Sequence, residues 1–367
     1  MIVIADDITG AAEIAGIAFT QGQQVRLVCD AVCGGDIAAD MTTVIATDTR
    51  SMSEAEAANE TRRILVSLSL EGNEERSLFK KTDSALRGHV VAELKALMEA
   101  TGYQRAVYLP ANPSKGRIIR KGVYYIREAK DKQSPIADVP IHETAFSYDP
   151  EFPARTAFVK ERFPDAEANH IIMPDAESEE DICRVITQYD DGKTVFAGAA
   201  DLFAALMKVK HNTNSTHASS TTPVSPYATL ILCGSTQSKA LDIGIPVSPM
   251  PLAIYDGSND LSLWNTDAYA HNHSLMLTMP FTHRTGKEAA VHLRTIMAEK
   301  AKRLIAEHCP EHLVIEGGAT AWATLQTLGW RQFEIVGQIA PGVVQMRADN
   351  GTVITLKPGS YPWGGLL

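Results

Sequence analysis

The sequence predicts an α/β protein built from two α/β units: a larger N-terminal one with a mainly parallel sheet flanked by helices, and a smaller C-terminal one. Three observations carry that prediction. Short apolar runs end in polar or glycine-bearing turns that lead into helical patterns; a polar stretch at 211–226 divides the chain; and glycine-bearing turns recur beyond it. At 367 residues the chain also exceeds what one hydrophobic core usually serves.

The strands come first. "MIVIADD", "TTVIATDTR", "RAVYLPANP", "HIIMPDAES" and "KTVFAGAAD" are continuous apolar runs, as expected of strands covered by helices on both faces. In the opening run Ile2 to Ala5 form the strand and Asp6 to Gly10 the turn. A helix then starts near Thr9 or Gly10, and Ala11, Ala12, Ala15, Gly16 and Ala18 let it lie close on the sheet. "SEAEAANETRRILVSLSL" opens a second helix at Ser51 or Ser53, with acids in its first turn. "HNTNSTHASSTTPVSP" cannot bury apolar surface and reads as a linker. The expected division is therefore residues 1–210, a linker at 211–227, and residues 228–367. The second unit begins with the strand "ATLILCGSTQ" and contains a long amphipathic helix whose Ala290, Leu293, Ile296, Met297, Ala301, Leu304 and Ile305 share a face.

Bulk charge narrows the function. With 34 basic and 44 acidic side chains the formal net charge is −10, which argues against a surface for nucleic acid or anionic lipid. An anionic ligand would need cations gathered locally. No run approaches the ~18 apolar residues of a membrane span, and no basic n-region opens the chain, so a cytoplasmic protein without membrane contact is expected. Cys29, Cys33, Cys183, Cys233 and Cys309 read as reduced thiols.

Candidate chemistry collects at strand ends. Ligands of open α/β sheets sit beyond the carboxyl ends of the strands, where Asp6 and Asp7 fall. Adjacent residues of an extended chain point in opposite directions, so the two acids need not share one task. The competing reading makes them turn acids capping a helix. "KKTDSALRGHVVAEL" crowds Lys81, Asp83, Ser84 and Arg87 into seven positions, a mixture suited to a polyhydroxy acid: a guanidinium grips a carboxylate while Asp83 and Ser84 meet hydroxyls. A solvated basic turn is the alternative. Asp48 and Arg50 end another strand, and Asn112, Lys115 and Arg117 lie in a loop rich in turn residues. In the second unit "HLVIEGGATA" runs a strand into Gly317 and Gly318 and then a helix with Thr320 near its start, where backbone N–H groups can cradle phosphate. There is no GxxxxGK[ST] and no GxGxxG, which excludes a P-loop enzyme and leaves a dinucleotide fold with little support. His271, His273 and His283 do not make a metal site, and Cys233 has no assignable catalytic partner.

Taken together these motifs resemble the four-carbon acid sugar kinases. "ADDITGA", "TDTRSMSEAEA", "KTDSALRGHVVAEL", "PANPSKGRIIRKGVYYI" and "MPDAESEEDI" are similar to successive elements of that family's N-terminal part; "CGSTQSKAL", "EGGATA", "APGVV" and "TLKPGSYPWG" are similar to those of its C-terminal part. The departures are Ala85 for a threonine, His89 for an asparagine, Glu316 for a serine, Ala319 for an acid, and Ser360-Tyr361-Pro362 for Asn-Phe. The resemblance implies a sugar-acid-binding N-terminal domain facing a C-terminal ATP-binding domain. It implies an ATP-dependent kinase, with Mg²⁺, that phosphorylates a hydroxyl of an erythronate-, threonate- or 3-oxo-tetronate-type acid. Asp7 or Asp6 would be the base, with a slightly raised pKa. Arg50, Lys81, Arg87 and Arg117 would neutralise the substrate carboxylate and the transferring phosphoryl group, with Asp83 and Ser84 at the hydroxyls. Ser235, Gly317, Gly318, Thr320, Gly342 and Gly359 would line the nucleotide. A homodimer is compatible with this reading. The rival is a non-catalytic sugar-acid sensor with degenerate ATP motifs.

Overall fold

Ile2–Ala5 is buried throughout, so this first strand has no solvent face to mark with polar residues. The reason is its position. The computed structural model describes residues 1–30, 41–68, 77–129, 135–149, 151–211, 228–234, 244–280 and 286–359. The N-terminal part runs β1 (Ile2–Ala5), α1 (Ile8–Thr20), β2 (Val25–Cys29), β3 (Thr42–Ala46), α2 (Glu54–Ser67), β4 (Leu78–Lys81), α3 (Val90–Thr101) and β5 (Arg105–Leu109). It continues through β6 (Arg117–Arg120), β7 (Val123–Ala129), β8 (Ile136–Pro140), α4 (Val159–Arg162), β9 (Ile171–Ile172), α5 (Glu179–Tyr189), β10 (Thr194–Gly198) and α6 (Ala200–His211). Beyond the polar stretch come β11 (Thr229–Cys233), β12 (Val247–Pro249), α7 (Leu252–Tyr255), α8 (Ala268–Asn272), β13 (Ser274–Thr278) and α9 (Lys287–His308). The last elements are β14 (His312–Glu316), α10 (Gly318–Leu328), β15 (Gln332–Ala340), β16 (Val343–Ala348) and β17 (Val353–Lys357).

The fold is mixed α/β, with a large, mainly parallel sheet flanked by helices. Its order among the described residues is β12-β13-β11-β14-β17-β16-β15-β2-β3-β1-β4-β10-β5-β9. Helix α2 starts at Ser53, whose hydroxyl accepts from Glu56 N while the Glu56 carboxylate accepts from Ser53 N, a capping box. It buries Ala57, Thr61, Ile64 and Leu65. Helix α1 starts at Ile8, one residue before the range expected, with Asp7 as its N-cap. One expectation is corrected. Arg117 opens strand β6 instead of lying in a loop, and β6, β7 and β8 form a separate antiparallel sheet. The tight β6–β7 turn puts Lys121 at φ +51° and Gly122 at φ +73°, the positive-φ pair that matches strand twist in a two-residue hairpin. No described helix is long and apolar enough to cross a membrane.

The two strand sets meet edge to edge. β15 pairs antiparallel with β2 through Gln332–Val28, Phe333–Leu27 and Glu334–Arg26, and Cys29 N donates to Arg331 O at 2.8 Å. Helix α1 spans this junction. A Cβ on Gly16 would lie 2.8 Å from both Gln338 Oε1 and Val344 Cγ2, so only a residue without one lets the helix approach β15 and β16 this closely.

The ladder directions make β14 nominally antiparallel to β1. Six steps separate them in the strand order. At about 20–25° of twist per step this accumulates roughly 120–150°, which brings the two strand directions closer to parallel.

Burial also sets one titration. His312 on β14 shares a 2.7 Å hydrogen bond with Thr355 Oγ1, and burial pushes its pKa down from 6.5 to about 4. The unfolded chain therefore takes up this proton first. Stability falls as pH drops from about 6.5 and the loss is complete below about 4, a total on the order of 3 kcal/mol. His312→Gln, which keeps a polar partner for Thr355, is expected to flatten this part of the stability–pH curve in urea unfolding. Identical slopes for the two proteins between pH 6.5 and 4 would refute the assignment.

Candidate active site

Where β1 ends, two carboxylates leave the sheet and one guanidinium takes both. Arg50, in the turn after β3, donates to Asp6 Oδ2 at 2.9 Å and Asp6 Oδ1 at 2.8 Å, and to Asp7 Oδ2 at 3.1 Å. Asp7 has further partners: Oδ2 accepts from Thr9 Oγ1 at 2.6 Å and Oδ1 from Gly10 N at 2.8 Å. The helix-capping reading therefore holds for Asp7, alongside whatever else it does. Burial raises both acids. For Asp6 it outweighs Arg50 and leaves the carboxyl above its ordinary value. For Asp7, Arg50, Lys81 and the Thr9 and Gly10 hydrogen bonds outweigh burial and hold it below. The expectation of a slightly raised Asp7 is thus corrected: the cap that starts α1 also stabilises the anion. Gly88, at φ +96°, closes over this pair, and a Cβ there would sit 3.3 Å from Asp6 Oδ2.

The "KTDSALRG" residues extend the cluster. Asp83 accepts two bonds from the Arg87 guanidinium, each 2.9 Å, one from Arg87 N at 3.3 Å and one from Ala85 N at 2.9 Å, and lies 3.9 Å from Arg50 Nη1. Burial opposes its charge, but Arg50 and Arg87 overcome this and hold the carboxyl far below the usual range. Arg87 also pairs with Asp149 at 3.3 Å. Arg117 donates to the Ser84 hydroxyl, and both Arg87 and Arg117 lie over the Phe146 ring. Tyr124 anchors the turn by donating to Ser84 O. Lys81 lies 3.5 Å from Glu13, which also holds Lys115. His89 reaches the Met52 carbonyl at 2.7 Å and packs edge-on against Phe152. Asp6, Asp7, Arg50, Asp83 and Arg87 are thus joined by ion pairs, Ser84 and Arg117 pair beside them, and Lys81 pairs with Glu13. Arg50, Lys81 and Arg87 are already paired internally.

The glycine turns collect at the carboxyl edge of the second strand set. Gly317, at φ +98°, is the N-cap of α10 with no side-chain cap, so the first-turn N–H groups face outward from the helix end. A Cβ on Gly318 would lie 2.9 Å from Thr9 Cγ2 and 3.8 Å from Asp7 Oδ2. This approach joins the two halves at the site. Thr320 turns its hydroxyl inward: a Cβ on Gly234 would be 1.8 Å from Thr320 Oγ1. Glu316 pairs with Lys357 in register across β14 and β17, both almost fully buried. Burial, with Glu316 adding, pushes the Cys233 thiol up to about 12, so it stays protonated. Gly342 turns β15 into β16 and Gly359 follows β17, at the same edge of the sheet as Gly317. Ser235, Cys33, His283, the linker beyond His211 and Ser360–Pro362 lie outside the described residues.

Residues that the motifs did not nominate are Thr9, Glu13, Phe146 and Asp149. Only the i+2 spacing of Thr9 from Asp7 was visible in sequence; the others are brought in by tertiary packing. A separate cleft of about 420 Å³ is lined by Arg105, Lys160, Phe163, Glu167 and His170, at the amino ends of β5 and β9, and is not part of this network.

Removing Arg50 leaves Asp6 buried and unpaired. Arg50→Ala is expected to lose about 3–5 kcal/mol in urea unfolding, and Asp6→Asn in that background to recover part of it. Simple additivity of the two substitutions would show that the pair is not the support described.

Two family models match the chain in order. Residues 1–165 match a family model described as a sugar-binding N-terminal domain, and residues 268–361 one described as a nucleotide-binding C-terminal domain. The chain is 26% identical over 375 residues to D-threonate kinase of Bordetella bronchiseptica, covering 93% of this chain and 88% of that protein. It is 26% identical over 405 residues to 3-oxo-tetronate kinase of Brucella melitensis, covering 98% and 92%. A solved structure from Haemophilus influenzae matches with a TM-score of 0.70 at 20% identity, over 99% of this chain and 97% of that one, a likeness of fold. Two domain models in order, and relatives aligned along nearly the whole length, lead to one conclusion: the chain belongs to the four-carbon acid sugar kinase family.

Proposed function

We propose that this protein is an ATP-dependent kinase that phosphorylates a hydroxyl of a four-carbon acid sugar of the erythronate, threonate or 3-oxo-tetronate type, with Asp7 as the carboxylate facing that hydroxyl. The observation that supports it best is the approach of Gly318, at the start of α10, to Asp7 and Thr9. A helix N-terminus suits an anionic phosphoryl donor, and here it stands opposite an acid suited to an acceptor. The relatives named as D-threonate and 3-oxo-tetronate kinases support the substrate class.

Asp7 is preferred over Asp6 on geometry. Asp6 is gripped by Arg50 through two bonds and is nearly inaccessible, whereas the Asp7 side chain keeps 19% exposure. Its lowered pKa keeps it ionised, and a loose phosphoryl-transfer transition state asks for orientation more than for a strong base. The nucleotide would be held by backbone N–H groups of Gly318, Ala319 and Thr320, with Gly342 and Gly359 at the same edge of the sheet. Bound Mg-ATP supplies the phosphoryl group and a cation over its oxygens. Because Asp6 is engaged with Arg50, the metal would rest mainly on nucleotide oxygens and water, as Mg²⁺ commonly does. Thr9, bonded to Asp7 Oδ2, fixes the rotamer of that carboxylate beside Gly318.

ADP release with Mg-ATP over a panel of four-carbon acids tests the reading. Asp7→Asn is expected to lower kcat by about 10²–10⁴-fold while acid binding persists. Because the Asp7 anion is stabilised, kcat/KM is expected to show no acid limb from this group above about pH 4. Acid binding without any acid-dependent ADP release would instead identify a sensor.

A further inference from the structure

One nitrogen of Arg50 faces two carboxylates. Its Nη1 bonds Asp7 Oδ2 at 3.1 Å and stands 3.9 Å from Asp83 Oδ1, beyond hydrogen-bond reach. A small slide of the Arg50 turn toward the end of β4 would exchange one partner for the other and loosen the hold on Asp7. Because Arg50 and Asp83 do not bond each other, something else keeps them at this separation.

Beneath them lies a buried polar link between the same two segments. Glu93 on α3 and Lys80 on β4 are both buried, as is Thr49. Glu93 Oε2 accepts from Lys80 Nζ and also, at 3.0 Å, from Thr49 Oγ1. Thr49 immediately precedes Arg50, and Lys80 lies on β4 just before Asp83. The Thr47 hydroxyl, 2.9 Å from that of Thr49, donates to Ala5 O at 2.8 Å and ties the same turn to the end of β1. Lys80 stands opposite Ile4 in the β1–β4 register, and Asp6, two residues beyond Ile4, continues that face. The charges of Lys80 and Glu93 accordingly both act on Asp6, the first favouring its ionised form and the second opposing it.

Burying such a pair costs solvation that two apolar side chains of similar volume would not lose, so stability alone gives the chain little reason to keep it. What the pair supplies is direction, since one carboxylate with two fixed donors holds α3, β4 and the turn after β3 at a set spacing. We propose that Glu93 is a positioning residue: through Thr49 and Lys80 it holds the Arg50 turn and the end of β4 at the separation that leaves Arg50 Nη1 on Asp7, and so aims the carboxylate that faces the acceptor. The inference rests on the role of Asp7 in the kinase reading above. Its effect falls on rate more than on binding, because Glu93, Lys80 and Thr49 are all buried out of reach of a ligand.

Thr49→Val tests this, because it removes one hydroxyl and leaves the Lys80–Glu93 pair in place; Thr49→Ser keeps the hydroxyl. Two quantities are read on the full-length protein: solvent exchange of the Arg50 Nε–H by NMR, with the backbone amides of β10 as reference, and kcat and KM for the panel acid that the wild type turns over fastest. For Thr49→Val the Arg50 Nε–H is expected to exchange about tenfold faster with the β10 amides unchanged, and kcat to fall about tenfold with the KM values for acid and Mg-ATP within twofold. Thr49→Ser is expected to restore both. Lys80→Met combined with Glu93→Leu, an apolar pair of similar volume, is expected to fold and to lose about a hundredfold in kcat. The proposal is overturned if the Arg50 proton of Thr49→Val keeps its wild-type exchange, if all amides exchange faster together, if KM moves and kcat does not, or if the folded apolar double variant turns over like the wild type. A wild type that turns over no acid of the panel sinks the kinase reading alone, and exchange at Arg50 then decides the positioning role by itself.

Discussion

The site depends on keeping like charges together at the place where the apolar strand β1 stops. Asp6 and Asp7 are neighbours in sequence, and their mutual repulsion rises as burial removes water. Arg50 answers this by bonding to both from the turn after β3, the strand paired with β1. The parallel β1–β3 register, Ala5 opposite Ala46, is what brings the two turns side by side. Asp83 approaches Nη1 of the same guanidinium, the nitrogen that also bonds Asp7, from the end of β4, which flanks β1 on its other edge. Three adjacent strand ends thus share one cation, and the acceptor side has a rigid floor.

The proposed reaction also requires the start of α10 to reach this floor. A flat sheet of this order would hold β14 and β1 far apart and pointing in opposite directions. Twist along β17, β16, β15, β2 and β3 removes much of that opposition, and the bare Cα of Gly16 allows α1 to lie over the bend. The β2–β15 ladder is reinforced beside its end by Asp30, which accepts from Gln326 at 2.9 Å and from Arg331 at 3.2 Å. The halves are therefore joined by backbone pairing as well as by the polar stretch that the composition marks. Any closing motion of one half on the other must bend around that ladder.

Much of this was legible in the chain. The buried strands were visible because residues covered on both faces need no polar alternation, as in "TVFAG" and "TTVIA". Asp6, Asp7, Arg50, Asp83 and Arg87 were visible because charged residues directly after such runs have few places to go except the carboxyl edge. What sequence concealed is partnership. Glu13 lies on the small-residue helix α1, and nothing in its spacing shows that it meets Lys81 and Lys115. Phe146 and Asp149 follow a three-stranded sheet whose hairpin signal, Lys121-Gly122, looked like one more loop turn. The pKa direction of Asp7 was missed for the same reason: a carboxylate beside Arg50 and two local donors is a tertiary fact.

The departures from the family pattern also have physical content. His89 stands where an asparagine is usual, and its ring reaches the Met52 carbonyl and packs on Phe152. Phe152, Asp149 and Phe146 belong to one stretch, which therefore touches the 83–89 turn at His89 and Arg87, and also reaches Arg117. An asparagine offers no comparable face for Phe152, so the exchange at 89 and the grip of this stretch belong together. Glu316 is similar in kind: it neutralises Lys357 beneath the glycine edge, leaving backbone N–H groups as the positive features at the start of α10. In a protein of net charge −10, the cations at this edge are held by internal acids: Arg50 by Asp6 and Asp7, Lys81 by Glu13, and Arg87 by Asp83.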